Sequence, residues 1–240
     1  MKKRRFKTAF ILGAGMGVRL KPLTETCPKP LLEVGGRPII TYAMAHLAQA
    51  GIDRFIINTH HIPDAYKKAF PDSRWKGIPI IFRYEPVLLE TAGGLKNIED
   101  LLSDDEAIIC YNGDIISSLP LKKLIDAHGL QGPEATLALR SVGHNLNVEI
   151  DEEGNIIDMR YSLGKKGIKT CLFTGIYTIE TSILRCIEPG KAESIVPVFL
   201  RKITDKPGSI RGVLIDEGIW YDIGTQAAYE EIKAGLKGIS

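Results

Sequence analysis

The 240 residues carry a formal net charge of +2, with 44% hydrophobic and 25% charged residues. That balance gives no general electrostatic case for nucleic acid, and the composition is that of a soluble globular chain, not a disordered or collagen-like one. The length suits one domain with a sizeable core.

The first residues imitate a secretion signal, with Lys2, Lys3, Arg4 and Arg5 ahead of an apolar stretch at 9–12. The imitation fails: few apolar residues precede the glycines, no clear cleavage site follows, and no run approaches the roughly 18 apolar residues of a membrane span. The basic run is expected to be a solvated end of the first strand, with no membrane partner. Cys27, Cys110, Cys171 and Cys186 form no C-x-x-C pair and no metal-ligand spacing. They are expected to be reduced, in a cytoplasmic protein.

Apolar runs of strand length alternate with amphipathic stretches of helix length. Strands are predicted at 8–12, 54–58, 78–84 and 107–111, with helices at 39–49, 63–69, 93–102 and 119–128 between or after them. That order predicts an α/β fold with a parallel sheet and right-handed crossovers. The next predicted strands, 135–141, 147–151, 156–161 and 171–179, lie too close together for helical crossovers. Antiparallel pairs are therefore expected in the C-terminal half. Helices at 195–203 and 226–236 flank a strand at 210–215 and a short element at Trp220, Tyr221 and Asp222. With no internal repeat or credible linker, a single domain over 1–240 is expected.

In an open α/β sheet, ligands gather beyond the carboxyl ends of the strands. The first predicted strand runs there into Gly13, Ala14, Gly15, Met16 and Gly17, where glycines let the backbone turn and bring N–H groups toward an anion. Arg19 and Lys29 add two separated cations. The spacing rejects two common phosphate loops. A dinucleotide fingerprint needs a third glycine where this chain has Val18, and no Gly-Lys-Ser or Gly-Lys-Thr supplies a P-loop. Asn112, Gly113 and Asp114 end the fourth predicted strand. They read either as a turn or as a carboxylate that holds a hard cation beside phosphate oxygens. Asp222 reads alone as the approach to a helix capped by Thr225.

The run Leu12-Gly-Ala-Gly-Met-Gly-Val-Arg-Leu-Lys-Pro-Leu-Thr24, followed by Pro28-Lys29-Pro30-Leu31, resembles the signature of the sugar-1-phosphate nucleotidyltransferases. The resemblance extends in order through 36–42, 90–94, 112–114, 147–149, 173–176 and 220–225, and so covers nearly the whole chain. It implies a three-layer, Rossmann-like sandwich with a mixed, mostly parallel sheet. It also implies a magnesium-dependent reaction between a nucleoside triphosphate and a sugar 1-phosphate. Residues 1–130 would form the nucleotide-binding half and 131–240 the sugar-phosphate half.

By the same resemblance Arg19 meets the leaving pyrophosphate, Lys29 the α-phosphate or the attacking phosphate, and Asp114 and Asp222 the Mg2+. The nucleotide falls to Leu12, Gly13, Ala14, Gly15, Met16, Gly17, Glu85, Thr91, Ala92, Gly93 and Asn112. The sugar phosphate falls to Gly113, Glu149, Thr174 and Gly175. Glu85 beside Arg83, and Glu149, read equally as ordinary charges at strand ends or edges. Gly13, Val18 and Glu90 depart from the common pattern, Glu90 standing where many members have glycine. The short form resembles uridylyltransferases of N-acetylmuramate 1-phosphate and guanylyltransferases of mannose or heptose 1-phosphate, favouring UTP or GTP. A chain of this length leaves no room for the β-helix of long members, so no acetyltransferase activity is expected.

His60 and His61, adjacent on a strand, point to opposite faces and make a poor zinc pair. They read as polar strand-end residues facing substrate. Trp75 reads as a core or interface anchor. Two other functions stay open at this stage: a catalytically silent module that binds nucleotide or nucleotide-sugar, and a phosphocholine cytidylyltransferase. Helical surfaces allow a homodimer, but no heptad run fixes a count.

Overall fold

A computed structural model describes residues 6–103 and 107–235. The basic run at 2–5 and the predicted end of the last helix at 236 lie outside the described residues. In chain order the elements are β1 (Thr8–Leu12), β2 (Glu33–Val34), β3 (Arg37–Pro38), α1 (Ile40–Gln49), β4 (Arg54–Thr59), α2 (Pro63–Ala69), β5 (Arg74–Trp75), β6 (Ile78–Tyr84) and α3 (Glu90–Lys96). They continue with β7 (Ala107–Asn112), β8 (Ile115–Ser117), α4 (Leu121–Gln131), β9 (Ala135–Arg140), β10 (Val148–Ile150), β11 (Ile156–Met159) and β12 (Lys169–Glu180). The chain closes with α5 (Ile195–Asp205), β13 (Ile210–Leu214), β14 (Trp220–Asp222) and α6 (Gln226–Gly235).

The central sheet runs β11-β10-β12-β7-β1-β4-β6-β5, with β9 beside β12 and β13 beside β9. The β7-β1-β4-β6 core is parallel, while β12 is antiparallel to β7, β9 and β10. This is the mixed, mostly parallel architecture that the sequence predicts. Successive residues of a strand face opposite sides, so β1 sends Phe10 to one core and Ile11 to the other. The Phe10 side is closed by Leu95 of α3 and by Val198, Phe199 and Ile203 of α5. The opposite side is closed by Met44 and Leu47 of α1, Tyr66 of α2 and Leu124 of α4. Three layers result. A smaller cluster seats Tyr229 and Ile232 of α6 against Leu20, Val34, Ile116 and Ile223.

Two predicted helices move, each for a local reason. The helix expected at 93–102 starts at Glu90, because the Ala92 and Gly93 N–H groups that a helix start leaves open donate to Glu193 O at 2.8 and 3.2 Å. It ends at Lys96 and is followed by a separate 3-10 turn at Glu99–Leu101. The helix expected at 119–128 begins after Pro120 and ends at Gly132, whose φ of 61° is the left-handed stop that glycine supplies. Leu119 instead enters the core and gives its carbonyl to His46 Nε2 at 2.6 Å.

The short β8 escaped the sequence pattern, yet it positions the site. It pairs antiparallel with β14, setting Asp222 opposite Ile115. The Ile223 N–H then donates to Asp114 O at 3.1 Å, so two acids over a hundred residues apart in sequence become neighbours.

Candidate active site

The parallel strands β7, β1, β4 and β6 end along one edge, and the site is built there. Leaving β1, the chain passes Gly13, whose N–H donates to Asn58 Oδ1 at 2.7 Å and whose carbonyl accepts from Tyr66 Oη at 2.8 Å. Gly13 was expected to offer its N–H to an anion. That N–H is spent on the end of β4, and a Cβ would sit 2.7 Å from Asn58 O. At Gly15 a Cβ would meet nothing within 4 Å. Gly17 takes φ +62°, where a side chain would meet Thr24 Cγ2 at 2.8 Å, and the Thr24 hydroxyl donates to its carbonyl at 2.9 Å. This turn starts the 3-10 segment Val18–Leu20 that presents Arg19.

At the end of β7 the Gly113 N–H donates to Leu12 O at 3.0 Å, and a Cβ at Gly113 would lie 2.5 Å from that same oxygen. Only glycine lets β7 pass this close to β1 and deliver Asp114. Lys29, 8% exposed, forms an ion pair with the Asp114 carboxylate. A Cβ at Gly224 would sit 3.2 Å from Asp222 Oδ1 and 3.3 Å from Arg19 Nη2, so the missing side chain leaves room where acid and guanidinium approach. Asp222 stands inside a cleft that water reaches. Desolvation by the walls and the charge of Asp114 push its carboxyl above the usual range, against the pull of Lys29 and Arg19. The result is a carboxylate pair flanked by two cations.

Two cavities meet at this pair. The first, about 570 Å³, is lined by the glycine loop, Lys29, Asn58, Glu90 and Asp114. The second, about 790 Å³, is lined by Asn147, Arg160, Phe173, Tyr221 and Asp222. Arg19, Thr91, Asn112, Ser194 and Gly224 line both. Asp114 thus faces the first chamber, Asp222 the second, and Arg19 their junction.

Of the residues that the sequence assigns to the nucleotide, Leu12, Ala14, Gly15, Met16, Gly17, Thr91 and Asn112 line the first chamber. Gly13, Glu85, Ala92 and Gly93 do not. Glu85 is fully buried: Oε1 accepts from Asn58 Nδ2 at 2.7 Å and Oε2 from the Leu89 N–H at 3.0 Å. Burial raises its pKa, partly offset by those donors. It therefore braces Asn58, which in turn fixes Gly13. Ala92 and Gly93 are spent on the Glu193 carbonyl.

Thr174 and Gly175 line the second chamber, but Gly113 and Glu149 do not. The Glu149 carboxylate accepts from the Gly167 N–H at 2.9 Å and the Thr170 hydroxyl at 2.8 Å, pinning the turn before β12 in place of a sugar. His60 and His61, expected to face substrate, donate to Glu85 O at 2.8 Å and Thr24 O at 2.6 Å. Trp75 packs edge-on against Phe55, as a core anchor should.

Asn58, Ser194 and Arg160 were missed, while Glu90 and Asn147, which lie in stretches that carry the resemblance, were given no role. Asn58 was legible by the rule that selected Asn112, a polar residue closing an apolar strand; Ser194 precedes α5 and Arg160 sits in the turn after β11, without such a mark.

Among the described residues no three His, Cys, Asp or Glu side chains gather as a metal site. Two carboxylates at the junction of two chambers still suit Mg2+, which takes one or two protein carboxylates and completes its shell with phosphate oxygens and water.

Residues 8–238 match a family model described as nucleotidyl transferase. The mannose-1-phosphate guanylyltransferase of Mycobacterium tuberculosis is 31% identical over 237 residues, covering 97% of this chain and 65% of that protein. The UTP–glucose-1-phosphate uridylyltransferase of Synechocystis is 26% identical, covering 95% of this chain and 63% of its own length. The chain thus spans just under two thirds of the length of these curated relatives. The crystal structure of HddC from Yersinia pseudotuberculosis complexed with GMP-PN superposes with a TM-score of 0.79 at 23% identity, covering 97% of this chain and all of that one, and so shares the fold.

Proposed function

The chain belongs to the nucleotidyl transferase family, and we propose that it transfers a nucleotidyl group from a nucleoside triphosphate, UTP or GTP, to a sugar 1-phosphate. One observation carries this reading: the Asp114–Asp222 pair and Arg19 stand where two chambers meet, one with a glycine loop and one lined by polar side chains. The first would take the triphosphate and the second the sugar phosphate. Both reactants are anionic, so their mutual repulsion is the main obstacle, and fixed cations together with positioning are the remedy.

In the proposed reaction a phosphate oxygen of the sugar 1-phosphate forms a bond to the α-phosphorus while the bond from that phosphorus to the bridging oxygen breaks. Pyrophosphate leaves with the electron pair. The attacking phosphate is already ionised near neutral pH, so no general base is needed. Arg19 would hold the leaving pyrophosphate. Lys29, nearly buried beside Asp114, would hold the α-phosphate or the incoming one. Magnesium bound at Asp114 and Asp222 would neutralise phosphate charge as the transition state forms. The four cysteines are unpaired among the described residues, and no described helix is long and apolar enough to cross a membrane. The free cysteines fit the cytoplasmic setting we propose.

Pyrophosphate release tests the proposal, using four nucleoside triphosphates against a panel of sugar 1-phosphates, with and without Mg2+. Release that requires both substrates is expected. Nucleotide binding without turnover on any pair would favour a silent binding module, and turnover confined to CTP with phosphocholine would favour a cytidylyltransferase.

A further inference from the structure

The two acids of the junction reach it by different routes. β8 inherits its place from β7, since only Gly113 and Asp114 separate the two strands. β14 arrives instead from β13, which reaches β7 only by way of β9 and β12. Its three residues pair with β8 in a separate two-stranded sheet. A ribbon that small does not fix its own position, so the place of Asp222 depends on how the chain enters, crosses and leaves β14. Trp220 Nε1 donates to Thr174 O at 2.9 Å within the strand, and the Ile223 N–H donates to Asp114 O at 3.1 Å after it. The entry is the turn at 215–219.

That turn is held at both ends. β9 and β13 run parallel and finish together, Leu139 beside Leu214, with the Ile215 N–H on Leu139 O at 2.8 Å. Just beyond, the Asp216 carboxylate takes both donors of one residue: the Ser141 N–H on Oδ1 and the Ser141 hydroxyl on Oδ2, each at 2.7 Å. Arg140 holds the same turn by its carbonyls, with Nη2 on Asp216 O at 3.1 Å and Nη1 on Gly218 O at 3.2 Å. At the far end the Ile219 N–H donates to Ser118 Oγ and the Ser118 N–H to Ile219 O, both at 3.0 Å. Gly218 takes φ +77°, and a Cβ there would lie 2.5 Å from Ser118 O, so glycine lets the turn come down onto the end of β8.

The Ser141 hydroxyl, helped by its N–H and by the charges of Arg140 and Lys169, holds the Asp216 carboxyl below the usual range against desolvation. The acceptor is therefore ionised at neutral pH, when its hydrogen bonds are strongest. Arg140, Val142, Gly143 and His144 line the second chamber together with Asp222. Asp216 thus joins the wall of that chamber to the strand that carries one acid of the junction.

We infer that Asp216 is a positioning residue: through Ser141 it sets the entry into β14 and so keeps Asp222 within reach of a cation held by Asp114. The inference rests on reading Asp114 and Asp222 as the Mg2+ site.

Mn2+ titrated into the full chain as a paramagnetic stand-in for Mg2+, and followed by electron paramagnetic resonance, tests it without substrate or turnover. The unaltered chain should bind Mn2+ at a site that Asp222→Asn removes. Asp216→Ala should weaken that site roughly 10-fold, the scale of losing a supporting partner outside a metal's own ligands. Ser141→Ala keeps the backbone N–H and should weaken it about 3-fold; this variant carries the test if Asp216→Ala does not fold. Asp216→Asn should retain most of the affinity, because its amide can accept from the Ser141 N–H and donate to the Ser141 oxygen. Glu217→Ala, which removes only the exposed pair with Lys123 from the same turn, should leave the affinity unchanged. Wild-type affinity in both Asp216→Ala and Ser141→Ala would overturn the positioning role while leaving the metal reading in place. So would equal losses in Asp216→Ala and Asp216→Asn, or in Asp216→Ala and Glu217→Ala. No Mn2+ binding by the unaltered chain, or binding indifferent to Asp222→Asn, would overturn both.

Discussion

Replacing Asp222 by Asn removes one negative charge from a group that its surroundings already resist ionising, so the fold should tolerate the change. Catalysis should not. Asp114→Asn, Asp222→Asn, Arg19→Ala and Lys29→Ala are each expected to lower turnover by 10²-fold or more, the scale of losing one aimed electrostatic group, with melting temperature held near that of the unaltered chain. Near-normal steady-state rates in the two Asp variants would remove the metal assignment. Glu149 should behave in the opposite way. Its carboxylate holds the Gly167 N–H and the Thr170 hydroxyl, so Glu149→Ala should cost about 1–3 kcal/mol of stability while KM for the sugar phosphate changes little. Chemical denaturation beside initial-rate kinetics separates the two effects. The contrast shows what a sequence reveals at this scale. Arg19, Lys29, Asp114 and Asp222 reach the junction because their motifs fix the local turns around them. Glu85 and Glu149 are acids of the expected type in the expected places, but the direction of a carboxylate depends on donors such as Leu89 N–H and Gly167 N–H, which no spacing announces.

At the level of elements, α1 is tied to the end of β7 through His46. Its Nε2 donates to Leu119 O at 2.6 Å, and Nδ1 lies 3.1 Å from Tyr111 Oη. Burial holds its pKa below the ordinary value of about 6.5, against the opposite pull of the Leu119 carbonyl. A depressed histidine contributes stability that is full above that ordinary value and is lost as pH falls through it toward the folded-state pKa. Unfolding free energy should therefore drop between about pH 7.5 and pH 5.5, and His46→Gln should flatten the drop; equal slopes would exclude His46 as the cause. Gly94 serves a second contact between elements. A Cβ there would lie 2.8 Å from Asn58 Nδ2 and 2.9 Å from Glu85 Oε1, so Gly94→Ala should cost about 1–3 kcal/mol and weaken nucleotide binding together. Element types were legible in the sequence wherever a strand or helix was long enough to show its period. β8, with three residues, was not. Its partner β14 was seen without its pairing, and so the approach of Asp222 to Asp114 had to come from family resemblance.

For the whole molecule, one parallel edge and one antiparallel wing create two chambers that share five residues. We propose that residues 1–130 mainly serve the nucleotide and 131–240 mainly the sugar phosphate. The halves interlock at the junction: Ser194 and Gly224 reach into the first chamber, and Arg19, Thr91 and Asn112 into the second. The alternation of strands and helices made the parallel core legible. The crowding of strands after residue 130 announced the antiparallel wing but not its order, because β12 leaves β10 after Cys171, joins β7 from Ile176 and shifts register against β9 between Phe173 and Tyr177, where Gly175 turns at φ +75° against Asn112. If the chambers hold two substrates that react directly, no nucleotidyl group ever rests on the protein. Exchange of labelled pyrophosphate into the nucleoside triphosphate measures this most directly. Exchange that appears only when a sugar 1-phosphate is present is the result expected; exchange without any sugar phosphate, or none with any substrate pair, would contradict direct transfer between the two chambers.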